Sequence, residues 1–121
     1  MIPFVPSAVI SEFQYADTAD VVDTNPVTIA AARVGARNCL MAIQVTNTDI
    51  TVGTVVQILD GSTVIGNIFV GPFVAAAPGD AFAQATFPKP LKCSENTALR
   101  FQCVTTSAQV RISAQGYTAT A

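Results

Sequence analysis

The sequence predicts an all-β chain, folded as a single antiparallel β-sandwich or barrel of seven or eight strands, and three observations carry that prediction. From Pro26 onward Val, Ile, Thr and Phe recur in runs of about four to eight residues, separated by Gly, Asn, Asp and Pro. Near the C-terminus Leu99, Phe101 and Cys103 alternate with Arg100 and Gln102, and Val110, Ile112 and Ala114 alternate with Gln109, Arg111, Ser113 and Gln115. That period of two marks a strand with one core face and one wet face. The stretches that lean toward helix, Ala30–Ala32 and Ala75–Ala77, are bounded by Gly35 or by Pro72 and Pro78 and are too short for more than a turn. A chain of 121 residues has room for one such domain.

Residues 1–26 form a distinct opening segment, with Glu12, Asp17, Asp20 and Asp23 and no Lys or Arg. Pro3 and Pro6 favour extended backbone, and Phe4, Val5, Ile10, Phe13 and Tyr15 supply apolar anchors. We expect an acidic extended arm over 1–26, either an edge strand or an arm laid on a neighbouring subunit, followed by a sandwich body over 27–121. A strand is expected near Val27–Val34. Cys39–Thr46 comes next, with Met41, Ile43 and Val45 on one face and a turn cluster at Asn47-Thr48-Asp49. Thr54–Leu59 and Ser62–Ile65 flank Asp60-Gly61, a strong hairpin signal. Ala81–Phe87 reads as a strand ended by Pro88-Lys89-Pro90, because proline supplies no ladder donor. The last two strands, joined through the polar Thr105-Thr106-Ser107, read as an antiparallel hairpin.

Composition removes several functions. Half of the residues are hydrophobic, mean hydropathy is +0.47 and 12% are charged, against about 25% in an ordinary soluble domain. Such a small chain leaves part of that apolar surface outside, so a partner or a second copy is expected to cover it. The net charge is −2 and the six basic residues form no run, so the basic footprint of a nucleic-acid binder is missing. The segment Gly61–Gly79 is the least charged, yet glycines and prolines interrupt it, and no membrane span is expected. The opening lacks a basic region and a helical apolar core, so no secretory signal is read. Three cysteines cannot all pair within one chain, which fits a reducing compartment or buried free thiols, with synthesis in a cytoplasm the simpler reading.

No histidine is present, which removes the commonest general base and metal ligand. Glu12 with Glu95 is one conceivable glycosidase pair, but solvated carboxylates are the plainer reading. Asp17, Asp20 and Asp23 miss the spacing of a calcium loop. Cys39, Cys93 and Cys103 contain no C-x-x-C pair to start a zinc site and read as small buried hydrophobes. Gly61, Gly66 and Gly71 fit turns or bulges rather than a phosphate loop. No enzyme, cofactor or metal is therefore expected. Glycan binding suits a small sandwich, although the chain has no Trp and only Tyr15 and Tyr117 to stack on a sugar.

Leu59-Asp60-Gly61-Ser62-Thr63-Val64-Ile65, Phe87-Pro88-Lys89-Pro90-Leu91, Asn96–Cys103 and Ile112–Tyr117 follow one another in an order and spacing that resembles small decoration, or cement, proteins of tailed-bacteriophage capsids. The resemblance spans about residues 40–117. It implies a jelly-roll sandwich that binds the outer surface of the head as an oligomer, trimer ahead of dimer, with the major capsid protein shell as its partner. Phe4, Phe13 and Tyr15 of the arm, with Phe69 and Phe73, are the expected anchors of an oligomer or capsid interface, since aromatics are favoured in interface cores. For Phe69 and Phe73 the alternative is filling of the sandwich itself. A tail or baseplate component and a glycan-binding module are the alternative functions.

Overall fold

The computed structural model describes residues 8–17, 20–74 and 78–121. Eight strands run as β1 (Val9–Ala16), β2 (Val27–Ala30), β3 (Ala36–Asn47), β4 (Thr54–Asp60), β5 (Thr63–Val70), β6 (Phe82–Lys92), β7 (Leu99–Cys103) and β8 (Val110–Thr120), with one 3₁₀ turn at Pro78–Ala81. They form two four-stranded antiparallel sheets, β1-β8-β3-β6 and β2-β7-β4-β5. The chain pairs as a long hairpin rolled up on itself: β1 with β8, β2 with β7, β3 with β6 and β4 with β5, closed by β3 with β8 and β4 with β7. That order is a jelly roll. Among the described residues no helix is long and apolar enough to cross a membrane.

The core lies between the sheets. Leu40, Ile43 and Val45 of β3 meet Val56 and Ile58 of β4, Leu99 and Phe101 of β7, and Val110 and Ile112 of β8. The three cysteines are free and buried. Burial pushes the Cys93 thiol up to about 12, with Asp60 and then Cys39 adding to the effect. Cys103 is pushed up to about 11 by burial and by Asp17 and Asp23.

Three expectations are corrected. The register of β3 shifts between Leu40 and Ala42 on both of its neighbours, and this bulge turns Met41 outward while Leu40 joins Ile43 and Val45 inside. Gly116 sits opposite Leu40 at the bulge, and a Cβ there would lie 2.0 Å from the Cys39 carbonyl oxygen. β6 does not stop at Pro88 but runs on to Lys92, because it is an edge strand and its register with β3 skips residues 87–90, so neither proline owes a ladder bond there. β7 and β8 are not a hairpin: they belong to different sheets, and residues 104–109 cross between them.

The Asp60-Gly61 hairpin forms as expected, with Asp60 opposite Thr63. Gly61 has φ 63° while Ser62 is not left-handed, which is the pattern of a type II′ turn. The opening segment contributes β1, an edge strand hydrogen-bonded to β8 from Val9 to Ala16.

Candidate interaction surface

All odd-numbered strands run toward one end of the sandwich. The connections 17–26, 48–53, 71–81 and 104–109 gather there, while 31–35, 61–62 and 93–98, shorter on average, lie at the other. The long-loop end is held by Asn47, buried on β3. Its amide donates to the carbonyls of Val52 (2.7 Å) and Gly71 (3.0 Å), and its oxygen accepts from the N–H groups of Asp49 (3.0 Å) and Gln109 (3.3 Å). One side chain thus fixes three loops.

On that scaffold stand exposed apolar side chains. Ile50 is 72% exposed beside Asp49, whose carbonyl accepts the Phe73 N–H at 2.6 Å, so Ile50, Phe73 and Val74 lie close together. Phe82 is exposed opposite Thr46. Phe69, 68% exposed, pairs with Val55 across β4, and the Val104 N–H donates to the Val55 carbonyl at 3.1 Å. This places Phe69, Val55 and Val104 in one row on the outer face of the second sheet. Seven of the twelve exposed large hydrophobics among the described residues lie at or next to this end.

Carboxylates stand on two of these connections, Asp17, Asp20 and Asp23 on 17–26 and Asp49 on 48–53, each tied into the fold by its own bonds. Tyr15 donates its hydroxyl to Asp17, which also accepts the Ile112 N–H at 2.8 Å. Asp20 pairs with Arg111 at 2.7 Å. Asp23 caps the Asn25 N–H. The N–H groups of Thr51 and Val52 bind Asp49 and hold its carboxyl below the usual range. Among the described residues no group of three His, Cys, Asp or Glu converges to hold a metal.

Of the five aromatic anchors expected from sequence, Phe69 and Phe73 are exposed. Phe13 and Tyr15 turn inward from β1 against the core, Tyr15 meeting the Phe101 ring edge-on at 6.0 Å. Phe4 lies outside the described residues. Sequence reading missed Ile50, Val74, Phe82 and Val104 as surface groups. Phe82 and Val104 stand at strand ends, where alternation no longer fixes a face.

The outer face of the first sheet is different in kind. Gln14, Gln115, Ala42 and Thr86 form one row across its four strands, and Ala16, Ser113, Gln44 and Gln84 form the next. These uncharged residues line a shallow trough of about 540 Å³.

No protein-family model matches the chain, and no curated protein matches it in sequence. Among solved structures it is similar to a chain of the cyanophage Pam1 capsid asymmetric unit, at 18% identity and TM-score 0.41 over 97% of this chain and 91% of that one. It is also similar to the insecticidal delta-endotoxin Cry8Ea1 of Bacillus thuringiensis, at 13% identity and TM-score 0.39, covering 89% of this chain and 19% of the endotoxin chain.

Proposed function

We propose that this protein is a non-enzymatic structural component of a bacteriophage virion, seated on the outer surface of the head, where it stabilises the shell as an oligomer. The observation that carries the reading is the concentration of exposed apolar side chains at the long-loop end, where Asn47 holds three connections together. Exposed apolar side chains gathered at one end of a small chain mark an interface, and the resemblance of the sequence motifs to those of capsid decoration proteins suggests its kind. The mechanism is mass action: a ligand that binds the assembled shell better than its dissociated subunits adds its binding free energy to the shell's stability. Many symmetric copies multiply a modest affinity.

Co-sedimentation with undecorated heads tests the reading. The wild-type chain is expected to pellet with heads, and Ile50→Ser with Phe73→Ser is expected to abolish pelleting while leaving the fold intact. A chain that ignores heads but binds purified tails transfers the protein to the tail. The arm is tested by deleting residues 2–7 alone, since a deletion reaching Tyr15 removes β1 from its sheet.

The glycan-binding reading has one observation in its favour, the amide-lined trough on the first sheet, whose Gln14, Gln44, Gln84 and Gln115 offer paired donors and acceptors to neutral hydroxyls. Retention on a glycan array that is lost in Gln44→Ala with Gln115→Ala would establish it.

A further inference from the structure

We propose that β5 pairs edge to edge with β5 of a second copy of this chain, so that two molecules share one continuous sheet across a two-fold axis. The inference rests on the self-association in the proposed reading but not on head binding.

The four sheet edges are built differently. β1 carries Glu12 and a register shift between Val9 and Ser11. β2 is four residues long, with a shift between Thr28 and Ala30. β6 carries Pro88, Lys89, Pro90 and Lys92 and bulges opposite Met41. Short length, charge, proline and bulges are the devices that keep sheet edges from pairing. β5 has eight residues, no charge and no proline; its register with β4 shifts once, near the hairpin turn between Ile58 and Leu59, and is unbroken from Gly66 to Val70.

The ladder also fixes which backbone groups are open. The Val55 carbonyl accepts from Val104, so Val55 turns its polar groups toward β7 and away from β5. Its β5 partner Phe69 therefore points N–H and C=O out of the sheet, and Asn67 does the same by alternation. Among the described residues no backbone group meets them. A strand added there satisfies these groups and covers part of the exposed Phe69 ring.

A strand that accepts this edge must itself be open, uncharged and free of proline. Among the described strands β2 and β5 are open edges without charge or proline, and β2 is four residues long with a register shift, so the strand that can match β5 over its length is β5 of a second copy. Antiparallel pairing of identical strands brings no like charges together and closes at two. The expected oligomer is a dimer, where the family resemblance puts a trimer first.

Light scattering on the full chain should give twice the 12.6 kDa chain mass. Asn67→Pro removes an edge donor without touching the ladder to β4 and should halve the mass at unchanged strand content by circular dichroism, while Asn67→Ser keeps the dimer. If the proline variant unfolds, Phe69→Lys provides the second test, since it sets like charges near the two-fold and should also yield monomer. Amide exchange at residues 67 and 69 should be slowed in the wild-type dimer and should speed up on dilution. A wild-type monomer, a trimer, or a dimer that survives both Asn67→Pro and Phe69→Lys overturns the pairing. A dimer that fails to pellet with heads leaves the pairing standing and removes the head reading, and a monomer that pellets does the reverse.

Discussion

The two ends of the sandwich use one device to different effect. Each end of β3 buries an asparagine whose polar atoms are all satisfied. At the short-loop end Asn38 donates to the carbonyls of Ala30 (3.3 Å), Ala31 (2.9 Å) and Thr97 (3.2 Å) and accepts the Thr118 hydroxyl at 2.7 Å. At the long-loop end Asn47 meets four backbone groups from three connections. Both ends add local anchors, Asp17, Asp20 and Asp49 at the long-loop end, and at the short-loop end bonds that join one loop to the next. Asp60 accepts from the Ser94 N–H and hydroxyl, and Arg100 donates twice to the Gly61 carbonyl, at 2.9 and 2.6 Å. The long-loop end leaves its apolar side chains facing outward on the Asn47 staple. One end is tied off, and the other is held in shape while remaining open for contact.

The largest expected effect tests whether Asn47 is the more heavily used staple. Asn47→Ala orphans two N–H and two C=O groups, each costing about 1–3 kcal/mol when buried and unpaired. A loss of about 3 kcal/mol or more in denaturant unfolding is expected. Asn38→Ala should cost less, about 2 kcal/mol, because its two amide protons are shared among three carbonyls and the Thr118 hydroxyl can turn to another acceptor. Limited proteolysis sharpens the contrast: cleavage in 71–81 should appear in Asn47→Ala and not in Asn38→Ala. Equal losses with the same cleavage pattern would erase the distinction between the ends.

Gly61→Ala probes the tied end at a smaller scale. Its φ of 63° disfavours any side chain, and a Cβ would lie 2.9 Å from Thr97 Cγ2. The left-handed backbone costs about 1 kcal/mol, and the contact pushes on the loop that Asn38 holds. A thermal midpoint lowered by several degrees, with head binding unchanged, is expected.

The strands were legible in the sequence because alternation is a local property, visible in Leu99–Cys103 and Val110–Gln115 alike. Sheet membership was not, since a polar connector between two strands looks the same whether it turns within one sheet or crosses to the other. The Met41 bulge was equally hidden: one extra residue reverses the faces of β3, and its cause, the close approach of Gly116, lies 75 positions along the chain. Asn47 did leave a trace. It falls in phase with Ile43 and Val45, a core position, but its Gly71 and Gln109 partners are 24 and 62 residues away, so the sequence shows only a turn former after a strand. Whether Phe69 and Phe73 stand outside or fill the sandwich was open in the sequence, since a Phe suits either place, and the structure exposes both; Phe13 and Tyr15 pack against the core because their strand joins the sheet.

Each end also holds one buried thiol, Cys93 beside the tied loops and Cys103 at the end of β7, and alkaline unfolding compares them. Both thiols ordinarily titrate at 9.0, and the fold raises them to about 12 and about 11. Below pH 9 both are protonated in either state and stability is full. Above it the unfolded chain releases protons that the folded chain retains, so stability falls as pH rises through 9 toward 11 and 12. Cys93→Ala and Cys103→Ala should each flatten the fall of the urea midpoint above pH 9, Cys93→Ala over the wider range.

The smallest effect belongs to the open end and appears in acid. Asp49 ordinarily titrates at 3.8 and is lowered first by the Thr51 N–H and then by the Val52 N–H. A lowered carboxylate contributes stability that is present above pH 3.8 and is lost as pH falls through the depressed folded value. Asp49→Asn should keep a side-chain oxygen for the same N–H groups while removing the charge, so its urea midpoint should lose part of the acid slope and little at pH 7. Because Asp49 carries Ile50 on one side and accepts Phe73 through its carbonyl, head binding should weaken in acid before the core unfolds. If binding and unfolding instead fall together in acid, the 48–53 loop is no more separable from the core than the turns at the tied end.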